Sequence, residues 1–456
     1  MSDVIAAIST PAGVGAIGIL RLSGQNCLAV AERVFRPKNG KPFSENPPRT
    51  MVYGDLRDAG GAVIDHIVAF YSPAPRSYTG EDCVELHCHG SPVVLASGLE
   101  ALCRSGARPA EAGEFTRRAF LNGKLDLTGA EAVIDLIEAQ SPEAARNAAG
   151  QLGGELYRLI SGVYDELLSL AGQFFAAVDY PEEDIEPPRA AAMQKTLDSA
   201  AGKLKRLLET YNRGRFLRSG VPVCILGSPN TGKSTLLNAL LGYERAIVTE
   251  IPGTTRDTIT ESVYMGGVLL RLIDTAGIRE TGDRVEALGI ERSREAARSS
   301  ELAILVSEGS RALSGADFEA MEAANAAPRR IALVNKTDLP EDPSVFKTLS
   351  ERFETVLRIS ARDGTGIDAL EEEIRRLFSS DCPADGSILT NLRQKTAAEA
   401  ALEAIASARD ALRNGLTPDA VLSDIESAMA ALGEITGRRV TEDIVNDIFS
   451  RFCVGK

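Results

Sequence analysis

The octet Gly227-Ser-Pro-Asn230-Thr231-Gly232-Lys233-Ser234 has the residue types and spacing to bind a polyphosphate. Its backbone can turn several N–H groups toward phosphate oxygens, at the N-terminus of the helix that follows. Lys233 can reach the β- and γ-phosphates, and the Ser234 hydroxyl, with Thr235 beside it, can hold Mg²⁺. Asp274-Thr275-Ala276-Gly277 supplies a carboxylate for the surroundings of that ion and an amide at Gly277 for the γ-phosphate. Asn335-Lys336-Thr337-Asp338 supplies base specificity. The Asp338 carboxylate can accept from guanine N1–H and the 2-amino group, and adenine offers neither donor. Ser360-Ala361-Arg362 can add a backbone N–H to guanine O6. Any one cluster can arise by chance. Four in this order, each ending an apolar run, point to a site that binds and hydrolyses GTP.

The group that directs water is less obvious. Thr249-Glu250-Ile251-Pro252-Gly253-Thr254-Thr255 holds two adjacent threonines, one of them suited to Mg²⁺ or the γ-phosphate, ahead of a strand expected at 258–264. The residue after Gly277 is Ile278, where Ras-like enzymes carry a water-orienting glutamine. Isoleucine cannot do that work, so another group must; the nearby acids are Glu280, Asp283 and Glu286. Arg256 and Arg279 read as solvated surface, not as arginine fingers.

These loops need a scaffold. Apolar runs at 223–226, 269–273 and 331–334 read as buried strands, each feeding one motif. Over 219–376 strands alternate with helical stretches, the signature of an α/β P-loop domain of the Ras-like G type. The flanking texture differs. Residues 121–218 and 377–456 are rich in Ala, Leu and Glu at helical spacing, and neither half alone shows a complete core. The expected architecture is therefore a discontinuous all-α domain into which the G domain is inserted. Residues 1–120 read as an α+β domain, with strands at 14–22, 63–71 and 83–89 and a helix at 93–104.

Composition narrows the function. The net charge of −14 argues against non-specific nucleic-acid binding, so any RNA contact is local or shared with a partner. No run of 18 apolar residues exists and the N-terminus lacks a signal-peptide pattern. Seven cysteines scattered through 456 residues read as reduced thiols in a cytoplasm. Cys83, His87, Cys88 and His89 invite a zinc assignment. Strand alternation sets Cys88 opposite both histidines, so one tetrahedral site would need a distorted strand. The same alternation puts Glu85, His87 and His89 on one face.

Longer segments carry a resemblance. Ser77-Tyr-Thr-Gly-Glu-Asp82, Val84-Glu-Leu-His-Cys-His-Gly90, Gly113-Glu-Phe-Thr-Arg-Arg-Ala-Phe-Leu-Asn-Gly-Lys-Leu-Asp-Leu127 and the terminal Phe452-Cys-Val-Gly-Lys456 resemble the MnmE (TrmE) family of tRNA-modification GTPases. The resemblance covers essentially the whole chain. It implies a tetrahydrofolate-binding, dimerising N-terminal domain over 1–120, a helical domain in two parts (121–218 and 377–456) and a TrmE-type G domain over 219–376. It implies Mg²⁺ on Ser234 and Thr255, and K⁺ on Asn230, Thr249, Ile251 and Thr254, in place of an arginine finger. Glu286 matches the acid that helps orient water, beside Lys233 on the phosphates. Arg21, Glu85, Lys124 and Lys456 match contacts to 5-formyl-tetrahydrofolate, and Cys453 matches a thiol considered important for the modification step. The implied partners are a second copy of the chain, the FAD-dependent protein MnmG, and tRNA. Ser307 stands where the family usually has Asp, and Ala112 where proline is common. A competing reading is a GTP-dependent switch in ribosome assembly or signalling. Such factors usually add a basic RNA-binding module, and this acidic chain shows none.

Overall fold

The computed structural model describes residues 3–179, 189–242, 261–273, 286–378 and 384–455. The N-terminal region forms a seven-stranded sheet from β1 (Ile5–Ile8), β2 (Gly15–Ser23), β3 (Phe35–Pro37), β4 (Val52–Arg57), β5 (Val63–Ser72), β6 (Cys83–Gly90) and β7 (Arg108–Pro109). The order is β3-β4-β5-β6-β2-β1-β7, antiparallel except where β7 joins β1. Alternation along β6 decides which residues meet a ligand. Val84, Leu86 and Cys88 enter the core, while Glu85, His87 and His89 lie on the other face. Cys88 is packed away from both histidines, and burial raises its thiol pKa to about 12. Among the described residues no cluster of three or more His, Cys, Asp or Glu can hold a metal ion.

The second sheet has six strands: β8 (Val221–Leu226), β9 (Glu261–Met265), β10 (Val268–Leu272), β11 (Leu302–Glu308), β12 (Arg329–Asn335) and β13 (Thr355–Arg358). Its order is β13-β12-β11-β8-β10-β9, parallel throughout except for the β9–β10 hairpin. The strand expected at 258–264 is β9, whose described part begins at Glu261. Helices cover both faces, so the central strands are apolar on both sides. Val221, Val223 and Ile225 pack toward the helices Lys233–Gly242 and Ile367–Phe378. Cys224 and Leu226 pack toward Gly315–Ala324 and Pro343–Ser350. Every loop at the carboxyl ends of β8 and β12 therefore opens on one rim, where such sheets bind ligands.

Four long helices form a bundle: Glu155–Asp179, Ala190–Glu209, Leu392–Arg413 and Pro418–Thr436. One buried cluster joins Leu156, Leu167, Leu197 and Leu204 to Ile405, Val421, Ile425 and Leu432. Two helices thus precede the second sheet and two follow it. Among the described residues no helix is long and apolar enough to cross a membrane.

The chain re-enters the bundle through a strap at 384–391. Asn147 Oδ1 accepts from the Gly386 N–H at 3.0 Å, Gln151 Nε2 donates to Ile388 O at 2.7 Å, and Thr210 Oγ1 accepts from the Leu389 N–H at 3.1 Å. The strap lies so close to the helix Tyr211–Ser219 that a Cβ on Gly214 would sit 1.8 Å from Leu389 O. Nearby, Arg218 Nε lies 2.7 Å from the enclosed Asp135 carboxylate.

Burial drives the Asp135 pKa up to about 6, with Arg218 opposing and Glu131 reinforcing the shift. Between about pH 4 and 6 the folded chain then keeps a proton that the unfolded chain has lost. The stability from this group is full below pH 4 and declines up to pH 6, by at most about 3 kcal/mol. Asp135→Asn removes the titration. Relative to the variant, the wild type is expected to melt progressively lower as pH rises from 4.5 to 6.5. A pH-independent difference in melting temperature would reject the assignment.

Candidate active site

The phosphate loop joins β8 to the helix Lys233–Gly242. Gly227, Asn230 and Gly232 all have positive φ, at 150°, 63° and 96°. This run of left-handed conformations is what curls the loop. Lys233 folds back, its ammonium donating to the carbonyls of Gly227 and Ser228, both at 2.8 Å. Burial lowers its pKa, and the negative charge of Asp317 opposes that shift. Ser234 and Thr235 are exposed at the start of the helix, as is Asn230 at the tip of the loop.

Asn335 ties the site together. Only 2% exposed, it closes β12; its Nδ2 donates to Thr231 O at 2.8 Å, and its Oδ1 accepts from the Ala361 N–H at 2.9 Å. One amide thus bonds the phosphate loop to the loop after β13. The Ala361 N–H thus bonds the side chain that closes β12. A carboxamide offers one donor and one acceptor edge, so both loops can be satisfied at once. Asp338 is exposed, and its Oδ1 accepts from Ser360 Oγ at 3.0 Å. Thr337 is fixed by its N–H to Ile359 O at 3.2 Å. Lys336 has φ 65° and places its ammonium 2.9 Å from Glu308.

Other expected site residues are described only in part or not at all. Glu286 opens the helix Glu286–Ser299, and its side chain lies outside the described part. Thr249 to Thr255, Asp274 to Gly277 and Lys456 lie outside the described residues. Ser307 is 1% exposed, and its hydroxyl meets no partner among the described residues.

Motif reading missed a group beneath the phosphate loop. Ser228 Oγ donates to Asp317, which is 1% exposed. Arg311 donates to both of them. Burial alone would raise the Asp317 pKa; hydrogen bonds from Arg311, Ser228 and Ser314 outweigh it and hold the carboxyl at about 2. The one local signal was Ser314-Gly-Ala-Asp317, a capping box that starts the helix Gly315–Ala324.

A second polar site lies on the N-terminal sheet. Arg21 and Glu85 face each other across β2 and β6, 2.9 Å apart. The guanidinium lies 5.4 Å from the Tyr78 ring centre and 5.7 Å from that of Phe115. Lys124 is exposed and lies beside Gly80. The C-terminal tail docks on this domain. Val454 bridges Ala112, and Gly455 O accepts from Ser9 Oγ at 2.9 Å. Cys453 is held there exposed, with its carbonyl near the Gly113 N–H.

The sheet, parallel but for one hairpin, the curled phosphate loop and the Asn335-Lys-Thr-Asp338 motif at the end of β12 together define a P-loop GTPase. Sequence comparison then places the chain more closely. Residues 127–453 match the family described as the MnmE helical domain, and residues 4–124 match the GTP-binding protein TrmE N-terminus. The tRNA modification GTPase MnmE of Carboxydothermus hydrogenoformans is 40% identical over 461 residues, covering all of both chains. That of Lactococcus lactis subsp. cremoris is 43% identical over 457 residues, covering all of this chain and 98% of the relative. The solved G domain of the T. maritima FeoB iron transporter aligns with 34% of this chain and 97% of its own, at 24% identity and a TM-score of 0.26. The chain belongs to the MnmE (TrmE) family.

Proposed function

We propose that this chain is a K⁺-stimulated GTPase that acts in tRNA modification. With an FAD-dependent partner of the MnmG type, it adds aminomethyl or carboxymethylaminomethyl groups at C5 of the wobble uridine. One observation carries the reading: the similarity to relatives named tRNA modification GTPases runs from end to end of both chains. A phosphate loop alone would support hydrolysis and say nothing of a substrate.

The residues present fit the cations. Exposed Ser234 and Asn230 offer oxygen donors at the phosphate loop. Mg²⁺ would use Ser234 and Thr255, and K⁺ would use Asn230, Thr249, Ile251 and Thr254. Positive charge there offsets the negative charge that builds between β- and γ-phosphates during transfer. Lys233 serves the same end, and Glu286 would orient the attacking water that Ile278 cannot. The Arg21–Glu85 pair fits a folate: the carboxylate suits the donor edge of a pterin, and Lys124 and Lys456 suit its glutamate tail. These residues would hold a methylene-tetrahydrofolate, the chemistry of which would be donation of the one-carbon unit. Cys453, presented on the docked tail, is the side chain this reading offers to the modification step. The chain would work in the cytoplasm as a homodimer, its G domains pairing on GTP.

GTP turnover should be at least about tenfold faster in KCl than in NaCl, and Glu286→Ala should lower it about 100-fold. In a deletion strain, mass spectrometry should find unmodified wobble uridine, restored by the wild type and not by Glu286→Ala. Equal rates in both salts reject the K⁺ site. Unchanged wobble uridines reject the function.

A further inference from the structure

We propose that Arg311 and Asp317 are positioning residues for nucleotide binding, setting the phosphate loop through Ser228 and the guanine-reading loop through Glu308. The proposal deepens the guanine-nucleotide reading and rests on it.

Ser228 follows the first glycine of the loop and is 5% exposed. Its carbonyl is one of the two that hold the Lys233 ammonium, and also accepts from Thr231 Oγ1 at 3.0 Å. Its side chain is fixed from below: Oγ donates to Asp317 Oδ1 at 2.5 Å and accepts from Arg311 Nη2 at 3.0 Å. The whole Ser228 residue is therefore set by two groups that follow β11, 83 and 89 residues along the chain. Moving it moves the carbonyl that aims Lys233.

Arg311 also faces the other loop. Its Nη1 lies 2.8 Å from Asp317 Oδ2, and its Nε lies 3.4 Å from Glu308 Oε2. The other Glu308 oxygen is 2.9 Å from Lys336 Nζ, two residues before Asp338. One planar guanidinium thus spans carboxylates that serve the phosphate and base ends of the site. A lysine cannot reproduce that fork, since it offers a point charge. With Asn335, the loop is pinned at both ends, Thr231 from one side and Ser228 from the other.

Arg311 is partly exposed, so Arg311→Ala leaves no buried cavity, whereas Asp317→Asn perturbs a fully enclosed group. The test uses the full chain and a fluorescent GDP analogue. Arg311→Ala is expected to raise its Kd about tenfold, with KM for GTP rising in step and kcat changing less. Arg311→Lys should fall between the two. A merely structural arginine would lower the melting temperature and leave Kd and KM where they were; that outcome overturns the proposal. Binding by the wild type is read first. If the wild type does not bind the analogue, the nucleotide reading itself fails and takes the proposal with it. If both proteins bind equally, only the proposal fails.

Discussion

Gly232→Ala is expected to weaken nucleotide binding about 100- to 1,000-fold while leaving the chain folded. At φ 96° an alanine is strained wherever its methyl group points. Here it also points at something. The Cβ would lie 2.3 Å from Asn335 Nδ2, the nitrogen that donates to Thr231 O. Asn335 cannot retreat, because it is 2% exposed and its oxygen holds the Ala361 N–H. The strain is worth about 1–3 kcal/mol. Leaving a buried amide unsatisfied adds about 1–3 kcal/mol; the free loop escapes both costs by moving off the phosphate-binding conformation, and restoring it lowers affinity tenfold per about 1.4 kcal/mol. Titration with a fluorescent GDP analogue reads the loss, and circular dichroism reads the fold. Wild-type affinity in the variant would show that Asn335 does not brace the loop.

Asp338→Asn should exchange one base for another. A carboxylate only accepts, and guanine presents two donors, N1–H and the 2-amino group. Ser360 Oγ holds one carboxylate oxygen at 3.0 Å, so the side chain is oriented before the base arrives. The amide would set its NH₂ against a donor. Discrimination by a site built around such hydrogen bonds is large, so GTP affinity should fall about 100- to 1,000-fold. Xanthine carries an oxygen at the 2-position, which the amide can donate to, so XTP should gain affinity in the same variant. Competition of GTP and XTP against one labelled nucleotide measures both. Equal losses for the two would mean that Asp338 supports the loop without reading the base.

The sequence made some of this legible because the chemistry is local. Gly227, Gly232 and Lys233 are fixed by what a tight phosphate loop requires of consecutive residues. The face carrying Glu85, His87 and His89 followed from a period of two. Contacts across the fold were not legible. Asn335 could be read as part of a guanine motif, but its two bonds, to Thr231 and Ala361, depend on how three loops meet. Arg311 belongs to no motif, and only the return of β11 beside β8 brings it under Ser228. The docking of Gly455 on Ser9 spans 446 residues and leaves no periodic trace.

The strap at 384–391 bears on the order in which the chain folds. Its Leu389 bonds Thr210 across 179 residues. Bringing those points together in an unfolded chain costs about 5 kcal/mol of loop-closure entropy. A folded nucleotide domain removes most of that cost, because Phe216 on its way in and Phe378 on its way out already touch, with ring centres 5.5 Å apart. The inserted domain then works as a staple that turns a remote encounter between the two halves of the bundle into a local one. A mutation that slows folding of the nucleotide domain should therefore delay assembly of a bundle it never touches.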